Sequence, residues 1–179
     1  MRRRSFLGAA IAFVMLPVIA GSARAQDGSA IARLRAFEEV PALSTPGGGH
    51  LDADIVGDEI HWQLTYFNLK GSVTQAHFHL AQRGVNGGIM IFLCSNLGNG
   101  PAGTQACPPS GTREAPVTIS GTITAENVGA GANAQGIAPG ELSEVLRAMR
   151  TGVVYTNVHS DLFPGGEIRG QVIFSATGD

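Results

Sequence analysis

The chain has 179 residues, with 14 Asp+Glu against 12 Lys+Arg, a length that suits one domain. Residues 1–25 hold four of the arginines and no acid, so the remainder sets eight basic side chains against fourteen acidic ones, a net charge of about −6. Lys70 is its one lysine and no basic cluster is present, which excludes nucleic-acid binding and disfavours anionic membrane surfaces, because both require a cationic footprint.

The first element is an export signal. Met1-Arg2-Arg3-Arg4 is followed by an apolar stretch of 15 residues from Phe6 to Ala20, and then by Ala23-Arg24-Ala25, the basic, apolar and small-x-small pattern of a secretory signal peptide over 1–25. The stretch is shorter than the roughly 20 residues that span a bilayer. Residues 26–179 are therefore expected to be the mature domain, periplasmic or secreted, with no transmembrane segment. Arg3-Arg4-Ser5-Phe6-Leu7 also resembles a twin-arginine signal, with a plain secretory signal as the alternative.

Beyond residue 25 the chain carries 23 of its 25 glycines and reads as short strands with frequent turns. Ile60, Trp62, Leu64 and Tyr66 alternate with Glu59, His61, Gln63 and Thr65, and Leu51, Ala53 and Ile55 alternate with His50, Asp52 and Asp54, as in half-buried antiparallel strands. Strands are expected at about 31–38, 49–56, 59–68, 73–80, 88–94, 116–124, 152–159 and 167–175. The set predicts an all-β, antiparallel, Greek-key-like β-sandwich or a barrel. Residues 127–138, rich in Gly and Ala, read as a loop. Residues 139–150 break the strand pattern: Leu142, Val145, Leu146 and Met149 recur at helical spacing, with acids first, arginines last and Gly152 beyond. One short helix across an open end of the sandwich is predicted. Cys94 and Cys107, an even pair in an exported chain, are expected to form a disulfide.

The segment richest in chemistry is Gln75-Ala76-His77-Phe78-His79-Leu80. On a strand, His77 and His79 project from one face about 6.6 Å apart, with Ala76, Phe78 and Leu80 on the other. Two imidazoles so placed can share a cation if a third ligand arrives from a neighbouring strand. His159 is the candidate, on a face that also carries Tyr155 and Asn157; His61 is a possible fourth ligand, although a solvated strand histidine is the better account of it. Imidazole-rich ligation without thiolate points to copper, with zinc second. Glu167 and Arg169 share a face and would either pair to orient a loop or hold a ligating histidine from behind. No catalytic residue is assigned: Gly-x-Ser-x-Gly and phosphate-cradling glycine motifs do not occur, and His159-Ser160-Asp161 are adjacent rather than arranged as a triad.

Three segments carry a family resemblance. Phe67-Asn68-Leu69-Lys70-Gly71 leading into Ala76-His77-Phe78-His79, the Gly84-Val85-Asn86-Gly87-Gly88 turn with its following strand, and Asn157-Val158-His159 through Pro164-Gly165-Gly166-Glu167-Ile168-Arg169-Gly170-Gln171 resemble the chordin-type, or CHRD, domain over about residues 32–174. The resemblance implies an extracellular or periplasmic β-sandwich, used in that family as a secreted interaction module and as stand-alone bacterial proteins. The strand with His77 and His79 also looks like the copper-binding strand of copper-zinc superoxide dismutase, but that enzyme's bridging histidine and zinc loop have no match. Two functions follow as expectations: an exported metal-binding protein, or a non-catalytic module contacting another envelope protein. A copper-dependent redox activity ranks behind both.

Overall fold

The computed structural model describes residues 28–176, and the expected export signal lies outside them. The strands are β1 (Gly28–Arg35), β2 (Gly48–Val56), β3 (Glu59–Phe67), β4 (Val73–Leu80), β5 (Gly88–Ser95), β6 (Val117–Ile123), β7 (Val154–Ser160), β8 (Ile168–Gln171) and β9 (Ile173–Ala176), and the helix α1 is Leu142–Arg150. Every strand pairing is antiparallel. The all-β architecture expected from the sequence is therefore what forms, with the short helix and the Cys94–Cys107 disulfide in place.

The sandwich is built from one continuous sheet in the order β5, β4, β7, β8, β1, β2, β3, β6, with β9 added against β1. The path nearly closes on itself, because Gln105 donates from Nε2 to Leu93 O on β5 and to Ser120 O on β6, spanning the two ends of the sheet. Closure of this kind removes free edges that would otherwise template aggregation. Inside lie Ala30, Ala32 and Leu34 of β1, Leu51 and Ile55 of β2, Ile60, Trp62 and Leu64 of β3, and Ala76 and Phe78 of β4. Gly121 faces Trp62 across the ladder, where an added Cβ would come within 3.1 Å of the indole.

Four local expectations shift. The first strand spans 28–35 rather than 31–38, since Ala36–Glu38 turn as a 3-10 helix. The last expected strand divides at Val172: β8 pairs with β7, Val172 N donates to Val154 O, and β9 crosses to pair with Gly28–Ile31. The loop at 127–138 contains a 3-10 turn, Ala130–Gln135. Helix α1 starts at Leu142, not 139, because Gly140 sits at φ 85°, outside helical space. Its Leu142, Val145, Leu146 and Met149 are buried as their spacing predicts, against β7 and β9.

Candidate metal centre

Strands β2 and β3 bury one face and wet the other. β4 and β7 do not. Ala76 and Phe78 enter the core, yet His77 and His79 on the opposite face are buried too, at 0% and 6% exposure. All seven residues of β7 are buried. The register sets His77 opposite Asn157, His79 opposite Tyr155 and Gln75 opposite His159, and β8 then sets Arg169 opposite Asn157. The outer face of this half of the sheet therefore reads His77 and His79, then Tyr155, Asn157 and His159, then Arg169. Two register shifts in the β4–β5 ladder, on either side of His77-Phe78, place bulges beside the histidine strand, where such irregularities re-aim side chains.

What covers this face is chain, not solvent. Residues 38–41, 82–87 and 163–167 form a roof tied down by hydrogen bonds. Asn86 donates to Val40 O at 3.1 Å, the Arg169 guanidinium donates to Asn86 Oδ1 at 3.0 Å and to Val85 O at 2.6 Å, and Gly87 N donates to the Tyr155 hydroxyl at 3.4 Å. Arg169 also lies 3.4 Å from the centroid of the Tyr155 ring, which stacks on His79 at 4.6 Å and 2°. His77 meets Phe92 of β5 edge-on at 4.4 Å.

The roof fixes the imidazoles. His79 Nδ1 lies 3.0 Å from Gly87 O, and His159 Nδ1 lies 2.9 Å from Pro164 O. A carbonyl oxygen only accepts, so both Nδ1 atoms carry the hydrogen and both Nε2 atoms keep a lone pair. Main-chain carbonyls holding the far nitrogen are the usual outer support of ligating histidines. His77 Nδ1 stands 3.2 Å from His159 Nε2, and roughly 3.3 Å separates two nitrogens on a tetrahedral ion with bonds near 2.0 Å. One ring nitrogen from each of His77, His79 and His159 falls within 4.8 Å of the others. The Nε2 atoms of His77 and His79 are buried without a hydrogen-bond partner, a state that calls for an explanation in a native interior.

Protonation does not supply one. Burial, reinforced by His159 and His79, lowers the His77 pKa from 6.5 to about 2. Burial lowers His79 to about 4 against the pull of the Gly87 carbonyl, and lowers His159 against that of Pro164. Three neutral imidazoles with converging lone pairs can hold a metal ion.

The remaining expected site residues lie elsewhere or act differently. His61 is exposed on β3, 3.2 Å from Glu59 Oε2 and from Thr122 Oγ1, outside the cluster. Glu167 accepts from Lys70 N at 2.6 Å, Gly71 N at 3.3 Å and Ser160 Oγ at 2.7 Å, so it orders the turn before β4. Glu167 and Arg169 do not form an ion pair with each other among the described residues; Arg169 instead clamps the roof and covers Tyr155, which in turn stacks on His79. Sequence reasoning missed Glu39, a buried carboxyl beneath the roof. Burial raises its pKa from 4.5 to about 7, against the charge of Arg169 and hydrogen bonds from Val40 N and Asn157. No periodicity marks it, since it sits in an irregular segment after a 3-10 turn.

Residues 31–172 match the family described as CHRD domain. The chain belongs to the CHRD-domain family. No curated protein and no solved structure matches it. All three clustered histidines and both half-cystines fall within the matched CHRD span, so the candidate centre belongs to the domain itself. Among the described residues of this CHRD protein, no helix is long and apolar enough to cross a membrane.

Proposed function

We propose that this CHRD protein is an exported metal-binding protein, periplasmic or secreted, that holds copper through His77, His79 and His159. The observation that carries the reading is the pair of carbonyl-anchored imidazoles, His79 on Gly87 O and His159 on Pro164 O, whose free nitrogens share one buried point with His77. An all-nitrogen, thiolate-free set favours Cu(II) over Zn(II) at equal geometry. The full chain, freed of metal and titrated with Cu(II), should take up one equivalent and show nitrogen hyperfine structure in its paramagnetic spectrum. A His77→Ala/His79→Ala variant should lose that uptake while Zn(II) competes only weakly in the parent protein; equal uptake by variant and parent would sink the proposal.

A second reading, a non-catalytic module that contacts another envelope protein, is favoured by one observation. The same histidines pack as structural rings, His79 on Tyr155 and His77 on Phe92. Under it, His77→Ala lowers stability equally with and without copper present.

A further inference from the structure

Resting on the metal reading above, we infer that Asn157 is a fourth donor, giving the centre three nitrogens and one amide oxygen, and that Glu39 holds the amide in that orientation. Asn157 lies on β7 directly opposite His77 and two residues before His159, on the same strand face. It is 2% exposed. Its Oδ1 stands 3.0 Å from His159 Nε2.

That contact is not an ordinary hydrogen bond. The hydrogen of neutral His159 resides on Nδ1, which faces the Pro164 carbonyl, so Nε2 offers only a lone pair, and an amide oxygen also offers only lone pairs. Two acceptors facing each other at 3.0 Å repel unless a cation sits beside both. His77 Nδ1 borders the same point at 3.2 Å from His159 Nε2. The separations match edges of one coordination polyhedron, since roughly 3.3 Å separates donors on a tetrahedral ion with bonds near 2.0 Å.

The amide's orientation has a cause on its other side. An added Cβ at Gly166, which sits at φ 124°, would come within 2.7 Å of Asn157 Nδ2 and collide with Glu39 Oε1. Gly166 thus leaves room for the Glu39 carboxyl to meet the amide nitrogen, which is a donor, and the oxygen is left facing the histidines. Asn157 hydrogen bonding is among the influences on the Glu39 carboxyl. Glu39 Oε1 is buried without a hydrogen-bond partner of its own, which leaves it free to take up the amide nitrogen. Glu39 acts through Asn157 and is a positioning residue. Three imidazoles and a neutral amide leave the charge of a divalent ion uncancelled, so a carboxylate at position 157 should hold it more tightly.

The test compares Cu(II) binding and paramagnetic spectra of the full chain with its Asn157→Ala and Asn157→Asp variants. Loss of the oxygen in Asn157→Ala should weaken binding by about tenfold or more and change the hyperfine splitting. Asn157→Asp, which keeps an oxygen in place and adds charge, should bind more tightly than the parent with a shifted spectrum. Glu39→Gln, which keeps hydrogen-bonding capacity without the acid, should change affinity less than Asn157→Ala. A parent that binds no copper overturns the histidine reading itself. A parent that binds, with an Asn157→Ala spectrum and affinity unchanged, overturns only the fourth donor. Should Asn157→Ala fail to fold, Asn157→Asp decides alone: an unshifted spectrum at parental affinity rejects Asn157 as ligand.

Discussion

Strands β2–β3 and strands β4–β7 belong to one sheet but solve the burial problem in opposite ways. In β2 and β3, Leu51, Ile55, Ile60 and Leu64 are fully buried while Asp52, Asp54, His61 and Gln63 are wet, the usual arrangement for an antiparallel sheet with one solvated face. In β4 and β7 the second face is closed as well, and the residues on it are polar: His77, His79, Asn157 and His159. Burying such groups costs a few kcal/mol each unless they are paired. The buried side-chain atoms left without partners among the described residues are Glu39 Oε1, His77 Nε2, His79 Nε2, Thr156 Oγ1 and Gln171 Oε1. All five lie on β4, β7, β8 or their roof, and none on β2 or β3. Unpaired polarity is thus confined to the half that carries the candidate centre, where a bound ion would satisfy His79 Nε2 directly.

The largest effect that would sharpen this contrast comes from the roof clamp. Arg169 is 1% exposed, and its guanidinium holds Asn86 Oδ1 and Val85 O while covering Tyr155. Arg169→Ala should cost about 3–5 kcal/mol in denaturant unfolding, since it strips donors from buried acceptors and opens the polar face to water. Arg169→Lys should recover little of this, because an ammonium cannot reproduce the planar fork and stack. A loss under about 1 kcal/mol would mean the roof is held by something other than this side chain.

The next effect is in pH. His77 and His79 titrate near 6.5 when unfolded but are held to about 2 and about 4 in the fold by burial. The unfolded chain binds their protons first, so the stability they contribute is present above pH 6.5 and is lost as pH falls toward 4, at up to about 1.4 kcal/mol per pH unit for each group. Glu39 runs the other way. Its folded pKa of about 7 lies above the unfolded 4.5, so its contribution is full below 4.5 and declines as pH rises to 7. Two histidines outweigh one carboxyl between 4.5 and 6.5. The metal-free protein should therefore gain stability across that window and reach its maximum near pH 6.5, measured by denaturant titration at each pH. Bound copper should steepen the acid side, because protons compete for the same nitrogens. A metal-free protein that is most stable near pH 4.5 would show that Glu39 dominates the half.

How much of this contrast the sequence reveals follows from what repeats along it. Alternation of Ile60, Trp62, Leu64 and Tyr66 with polar residues is a period-two signal, and β3 forms where that signal lies. The helical spacing of Leu142 to Met149 likewise yields α1. Placing His77, His79 and His159 together needed only same-face parity and adjacent strands. The roof was not legible, because it is made by irregular segments whose contacts span long separations: Arg169 to Asn86, Asn86 to Val40, Lys70 to Glu167. Without the roof, Glu39 looks like a surface acid, and Glu167 and Arg169 look like a pair for each other. Only the fold shows that one orders a turn and the other clamps a loop.

The smallest expected effect comes from His61, and it sets the two halves directly against each other. His61 is a strand histidine by the same parity argument that selects His77, but its face of β3 is wet and its neighbours are Glu59 and Thr122. An exposed ion pair of this kind contributes between zero and about 1 kcal/mol. His61→Ala should therefore change stability by no more than about 0.5 kcal/mol and leave the Cu(II) spectrum and stoichiometry of the protein as they were. The parallel His77→Ala variant should abolish the one-equivalent site. If removing His61 weakened copper binding as much as removing His77, a wet histidine would be doing what the roofed ones are assigned. The distinction between open and covered sheet would then carry no functional meaning.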